Sequence, residues 1–304
     1  MADSMKYRQL GKSDLHISTV AFGCMSLKDE YAVIEKMLNK AYEGGINHFD
    51  TADIYDGGQN EVIVGKALRV IRKKIILATK GGNEANPNGD GWKWNPSKAY
   101  ILKACEDSLK RLKTDYIDLY QLHGGTIDDP IDETIEAFET LQQQGKIRYY
   151  GISSIRPNVI NEYILRSNIV SVMVQYSLLD RRPVETCLPL LEKHKIGVLA
   201  RGTIAGGLLA GKTPKEYLGY SKEQVEALSN AVAKKSGEER THVQTALHYV
   251  LNNPAISAAV VGIRTTTQLV EAMNLWQSQC LSKSEIEELN NILPVNVYSD
   301  NRIK

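Results

Sequence analysis

The sequence predicts an α/β chain folded as a (β/α)8 TIM barrel with an N-terminal β-hairpin, and three observations predict it. Short β-prone runs alternate with longer helical segments eight times. The length of 304 residues matches the usual size of such a barrel with short additions, so the whole chain, 1–304, is expected to form one domain. The competing doubly wound sheet needs a Gly-x-Gly-x-x-Gly turn after its first strand, and Gly23-Cys24-Met25 does not provide one.

The elements follow in order. Tyr7–Leu10 and Leu15–Ile17 flank Gly11-Lys12-Ser13-Asp14 and predict a hairpin acting as a lid or plug outside the repeat. Strands are then expected at Thr19–Gly23, Ile46–Asp50, Ile75–Lys80, Tyr116–His123, Ile147–Ile152, Val170–Tyr176, Gly197–Ala200 and Ser257–Val261. The helices between and after them cover about 30–43, 60–69, 97–112, 131–144, 157–166, 183–194, 222–252 with a break at Ser236-Gly237, and 266–278. Pro130 and Pro157 stand at helix starts, where a missing amide hydrogen costs nothing, and Gly44-Gly45 and Gly145 stand at helix ends. One-sided spacing of Ala104, Leu109 and Leu112, and of Ile135, Phe138 and Leu141, suits helices that cover a barrel wall. Two polar insertions, Gly81–Pro96 with Trp92 and Trp94 and Gly202–Ser221 with Lys212, follow strand ends, the face on which barrels build their sites.

Charge excludes several classes of function. With 37 basic against 36 acidic residues, nothing calls for nucleic acid or an anionic membrane as partner. The four cysteines form no CxxC pair and the histidines no ligand spacing, so neither a disulfide framework nor a metal site is expected. Residues 1–30 lack the pattern of a signal peptide, and no apolar run reaches the roughly twenty residues of a membrane span. A cytoplasmic location is the expectation, with a monomer favoured and a partner protein left open.

Chemistry gathers where the strands end. Asp50, Lys80 and His123 close the second, third and fourth strands, and Tyr55 follows Asp50 in the loop. Such ends converge on one mouth in a closed barrel, and a buried Lys80 beside Asp50 compensates both charges. A tyrosine next to that cation suits proton donation to a developing alkoxide, with His123 bonding the carbonyl oxygen. No side chain can supply the hydride that carbonyl reduction requires, so a cofactor must.

Asp50-Thr51-Ala52 with Tyr55, then Asn60-Glu61 and Gly65, Lys80, Asp115–His123, and Gly145–Arg148 through Gly151-Ile152-Ser153 together resemble the aldo-keto reductase superfamily. The similarity runs from about residue 6 to 293, with a texture like bacterial reductases and potassium-channel β subunits. It implies a cofactor, NADPH (NADP+) with NADH second, lying extended across the barrel mouth, and a reaction in which aldehydes or ketones become alcohols. Asp50, Tyr55, Lys80 and His123 match the family's tetrad. Ser153 and Gln175 match the groups that hold the nicotinamide carboxamide, and Ser154 replaces the family's asparagine. Arg201, before Gly202, stands where an aromatic residue usually stacks on the ring, and a guanidinium plane can stack there or reach a phosphate.

The segment Gly262–Leu269 resembles the turn that opens the last barrel helix. The resemblance places Arg264 and Thr265 on a 2′-phosphate, Gln268 and Glu271 near the adenosine, and Lys212 on the pyrophosphate; Ala272 replaces an asparagine. The implied substrate pocket draws on Met25–Glu30, Gly124–Asp129, Gly202–Ser221 and Val295–Lys304, with Met25, Tyr55, Trp92, Trp94 and His123 named as its walls. A short C-terminal segment implies an open mouth that takes small aldehydes, α-dicarbonyls and quinones. The alternative is a cofactor-binding regulatory protein with slow residual reductase activity, like the channel subunits, although no separate partner-binding extension is visible. A lyase or isomerase on the same barrel is a third reading, opposed by the tetrad.

Overall fold

The computed structural model describes residues 5–86 and 91–303. An antiparallel hairpin, β1 (Tyr7–Gln9) and β2 (His16–Ser18), precedes eight parallel strands that close on themselves. These are β3 (Val20–Gly23), β4 (His48–Asp50), β5 (Ile76–Gly81), β8 (Ile117–Leu122), β9 (Ile147–Ser153), β10 (Ser171–Gln175), β11 (Gly197–Arg201) and β12 (Ile256–Gly262). They pair in chain order, and β12 returns to β3 with Val261 opposite Phe22. The (β/α)8 barrel with its hairpin is therefore as the sequence predicts.

The strands are largely buried on both faces because one face fills the barrel and the other meets helices. Inside, Leu10, Leu15 and Ile17 of the hairpin pack with Ala21, Ala78, Leu119, Met173, Leu199 and Ala258. The hairpin is thus a plug, and it closes the end where strands begin, since Gly11 lies against Val170 and Gly197. Outside, Phe22, Phe49, Phe138, Tyr150 and Tyr163 belong to the larger core between the wall and its helices.

Those helices are α1 (Tyr31–Glu43), α2 (Gln59–Leu68), α3 (Lys98–Leu112), α4 (Ile131–Gln143), α5 (Pro157–Arg166), α6 (Cys187–Lys193), α7 (Lys222–Lys235), α8 (His242–Asn252) and α9 (Thr266–Met273). Ser221 with Gln224 and Thr241 with Gln244 form reciprocal capping boxes, which set the separate starts of α7 and α8 on either side of the predicted break. Two elements depart from the sequence expectation. The polar insertion after β5 is a small arm, β6 (Asn83–Ala85) paired with β7 (Trp92–Trp94), while its residues 87–90 lie outside those described. A further helix, α10 (Lys283–Asn291), follows the barrel on its own capping box of Ser282 and Glu285. No helix among the described residues is long and apolar enough to cross a membrane.

Candidate active site

The closed wall brings Asp50, Lys80, His123, Ser153, Gln175, Arg201 and Gly262 to one rim, because each lies at or beside the last residue of its strand. A cavity of about 1130 Å³ opens there, and Tyr55 and Arg264 line the same space. Its catalytic end is built around the Lys80 ammonium, whose contacts lie within the protein. Lys80 Nζ donates to Asp50 Oδ1 at 2.5 Å and to the Thr51 carbonyl at 2.7 Å, and lies 3.4 Å from the Tyr55 hydroxyl. Gln121 Nε2 donates to the other Asp50 oxygen at 3.2 Å. Burial opposes the charge on Lys80, but the Asp50 carboxylate and then Tyr55 hold its pKa above the ordinary lysine value. An ammonium so placed favours charge on the tyrosine oxygen.

His123 sits edge-on to the Tyr55 ring, with centroids 5.9 Å apart. Burial first, then Lys80 and Arg201, push its imidazole down to about 3. It is therefore neutral near pH 7, able to bond an oxygen without bringing a second positive charge. Its backbone is fixed by the Gly81 carbonyl at 2.8 Å and by Asn83 Nδ2, which donates to the His123 carbonyl at 3.1 Å.

The residues after Tyr55 explain why its loop holds this shape. Asn60 Oδ1 accepts from Thr51 Oγ1 at 2.6 Å while its Nδ2 donates to the Cys24 carbonyl at 2.9 Å, tying the tetrad loop to β3. Glu61 accepts from Thr79 at 2.5 Å and from Arg111 at 2.6 Å. Gly58 has φ +90°, and a Cβ there would meet Arg111 at 2.9 Å; at Gly65 a Cβ would stand 2.2 Å from the Leu112 carbonyl oxygen. The sequence motif is thus a set of braces for Tyr55 and Lys80. Gln121 was given no role by sequence, although it stands in the quoted strand. Its only signal is its place in the alternation, two residues before His123.

The other end of the cavity is less tightly held. Ser153, Ser154, Arg201, Gly202, Lys212, Gly262, Arg264, Gln268 and Glu271 line it. Thr265 caps α9, accepting from the Gln268 amide at 3.2 Å, and Gln268 Oε1 accepts from the Arg264 amide at 2.9 Å. Among the described residues Arg201, Lys212 and Arg264 have no carboxylate partner; Lys212 Nζ donates to the Gly206 carbonyl at 2.9 Å. Unpaired cations beside a helix start fit a ligand with several phosphates. The residues present therefore suit NADPH, including its 2′-phosphate.

Some expected pocket residues stand elsewhere. Gln175 is absent from the lining: its Oε1 accepts from Arg201 at 2.9 Å and its Nε2 donates to the Tyr217 hydroxyl at 3.0 Å, so it orients Arg201 from behind. Met25 lines the mouth and is exposed. Trp94 is turned away to donate to Asp129 Oδ1 at 2.9 Å, Trp92 is exposed on the β7 arm, and neither lines the cavity. The tail does not reach it either. Arg181 donates to the Leu293 carbonyl, Tyr220 Oη donates to the Pro294 carbonyl at 2.7 Å, and the Asn296 amide donates to Tyr220 Oη at 3.2 Å, holding the segment against the chain that follows β10 and β11. Sequence also overlooked Arg156, just before α5, and the wall from Arg240 to Val243 at the start of α8, which line the cavity.

This barrel and this rim are those of a carbonyl-reducing oxidoreductase, and residues 19–294 match the model of the Aldo/keto reductase family: the chain belongs to it. It is 50% identical to "Uncharacterized oxidoreductase YqkF" of Bacillus subtilis (strain 168), over 98% of this chain and 100% of that one. It is 30% identical to the aldo-keto reductase YhdN of the same organism, over 97% and 96% of the two chains. Among solved structures, the holo form of aldo-keto reductase AKR11C1 from Bacillus halodurans superposes with a TM-score of 0.92 at 48% identity, over 98% of this chain and 100% of that one. The protein is an NADPH-dependent oxidoreductase of the aldo-keto reductase type.

Proposed function

We propose that the chain reduces small aldehydes and ketones with Tyr55 as proton donor, Lys80 and Asp50 as its activating pair, and His123 as the donor to the carbonyl oxygen. The observation that carries this reading is Lys80 Nζ set between Asp50 Oδ1 at 2.5 Å and the Tyr55 hydroxyl at 3.4 Å, at the floor of the one cavity that Arg264 also lines. NADPH, when bound, supplies the hydride. Tyr55 gives its proton to the oxygen on which charge builds, and the Lys80 ammonium stabilises the phenolate that remains. Neutral His123 donates one hydrogen bond to the same oxygen and fixes which face of the carbonyl is presented. Asp50 and Gln121 keep Lys80 charged and still, so no reorganisation is needed during proton transfer.

Ser153 and Ser154 are assigned to the carboxamide, Arg201 to the ring or the adjacent phosphate, Lys212 with Gly202 to the pyrophosphate, Arg264, Thr265 and Gly262 to the 2′-phosphate, and Gln268 and Glu271 to the adenosine. Gln175 is assigned as the residue that positions Arg201. Chain 1–304 is taken as one folding unit, monomeric and cytoplasmic. Titration of the purified protein with NADPH and NADH by fluorescence quenching, followed by an aldehyde panel, tests the reading. At least about ten-fold tighter NADPH binding, an effect above about 1.4 kcal/mol, together with turnover, is expected. Binding without any turnover, unaltered in Tyr55→Phe, overturns it.

A further inference from the structure

Four cationic side chains line the cavity without an ion-pair partner among the described residues: Arg156, Arg201, Lys212 and Arg264. Lys212 and Arg264 come from the loops after β11 and β12, and suffice for the phosphates of the cofactor. Arg156 does not belong with them. It follows β9, three places round the wall from β12 and next to β8, whose end carries His123. Its Nη1 donates to the carbonyl of Gly125, two residues beyond His123, at 2.6 Å, and the rest of the half-buried guanidinium has no acceptor among the described residues. Arg201, at the end of β11, lines the same cavity, adds its charge to the field at the His123 imidazole, and donates to the neutral Gln175. The cavity thus holds two guanidinium groups and a neutral histidine, and of the described carboxylates that line it Asp50 is already paired with Lys80 while Glu271 stands at the α9 end.

An uncompensated pair of cations in a concave, partly desolvated site is costly unless a ligand neutralises it, and a guanidinium fork matches a carboxylate or phosphate. Resting on the reductase reading above, we infer that the preferred substrates are carbonyl compounds bearing an anionic group, which Arg156 binds with help from Arg201 while the carbonyl lies at Tyr55 and His123. Neutral aldehydes of the same skeleton are turned over less efficiently because they leave Arg156 without a counter-ion.

The test compares 4-carboxybenzaldehyde with its methyl ester and with 4-formylphenyl phosphate, using the full chain and saturating NADPH. The acid is expected to exceed the ester in kcat/KM by about ten-fold or more, and this ratio should shrink with added salt. In Arg156→Ala the ratio falls to within about two-fold of unity, and Arg156→Lys retains part of it. A phosphate outperforming the carboxylate names phosphate as the anionic group under the same proposal. Equal kcat/KM for acid and ester in the unaltered protein, or a ratio unmoved by Arg156→Ala, overturns the proposal. So does a loss of NADPH affinity in Arg156→Ala with the ratio intact, which assigns the residue to the cofactor. If none of the three aldehydes is reduced, the reductase reading fails. Quenching of the NADPH complex by unreactive terephthalate, present in the unaltered protein and absent in Arg156→Ala, then supports the anion site by itself, and its absence from both overturns it.

Discussion

The two ends of the cavity are built on opposite plans. Around β4, β5 and β8 every ionic group of the tetrad is already satisfied: Lys80 is buried against Asp50, Asp50 is held by Gln121, and Asn60 and Glu61 brace the loop beneath. Around β11 and β12, Arg201, Lys212, Arg264 and Gln268 are half-buried or exposed, Lys212 and Arg264 lack counter-ions among the described residues, and their contacts are local to their own loops. The difference teaches where preorganisation is needed. Proton transfer requires donors fixed before the reaction, whereas a phosphate-binding surface can keep its charges open because the ligand completes them.

The largest way to break this contrast is Tyr55→Phe. It should lower kcat by about 10²- to 10⁴-fold, the usual worth of general acid catalysis, while NADPH affinity by fluorescence stays within about three-fold. A parallel loss of affinity would mean that the two ends are not separable. Lys80→Met comes next, because it leaves Asp50 buried without a counter-ion. A loss of stability of about 3–5 kcal/mol in denaturant unfolding is expected, with partial recovery in Lys80→Met/Asp50→Leu.

At the open end, Arg264→Ala should weaken NADPH about ten-fold and NADH hardly at all, with no loss of folding stability, since an exposed cation without a partner contributes little. The calorimetric Tm checks the second half of that statement.

The smallest expected effect sharpens the contrast through pH. His48 lies fully buried behind Asp50 with neither ring nitrogen partnered, and burial, then Lys80, lower its pKa from 6.5 to about 3. His123 is lowered to about 3 as well. The unfolded chain binds these protons as pH falls below 6.5 and the folded chain does not, so stability is complete above about pH 6.5 and declines toward pH 3. His48→Leu should therefore reduce the loss of Tm between pH 7 and pH 5 by a few degrees. An unchanged slope would place the acid sensitivity elsewhere.

Much of the catalytic end was legible in the sequence. Asp50, Lys80 and His123 are charged or polar residues at the ends of apolar strands, which is unusual enough to be seen without coordinates, and Tyr55 stands in the motif that follows Asp50. Gln121 was not legible, because a polar residue inside a strand carries no mark of which neighbour it meets. The mouth was read less well. Trp94 looks like a pocket wall in sequence, but a partner 35 positions away, Asp129, draws it aside. The C-terminal segment was expected among the segments that build the pocket, yet it is held by Arg181 and Tyr220 and does not line the cavity. Gln175 was expected on a ligand; its contact with Arg201 follows from the pairing of β10 with β11, and its contact with Tyr217 from how the loop after β11 folds back.

By itself the sequence determined the eight-fold alternation, the plug, the barrel and the four residues at its rim. Those follow from local periodicity and from the geometry that a closed parallel wall imposes on every strand end. Only the tertiary structure decided which side chains remain unpaired there. Counter-ions come from distant segments, so only the folded chain shows that Arg156 meets the Gly125 carbonyl and no carboxylate among the described residues.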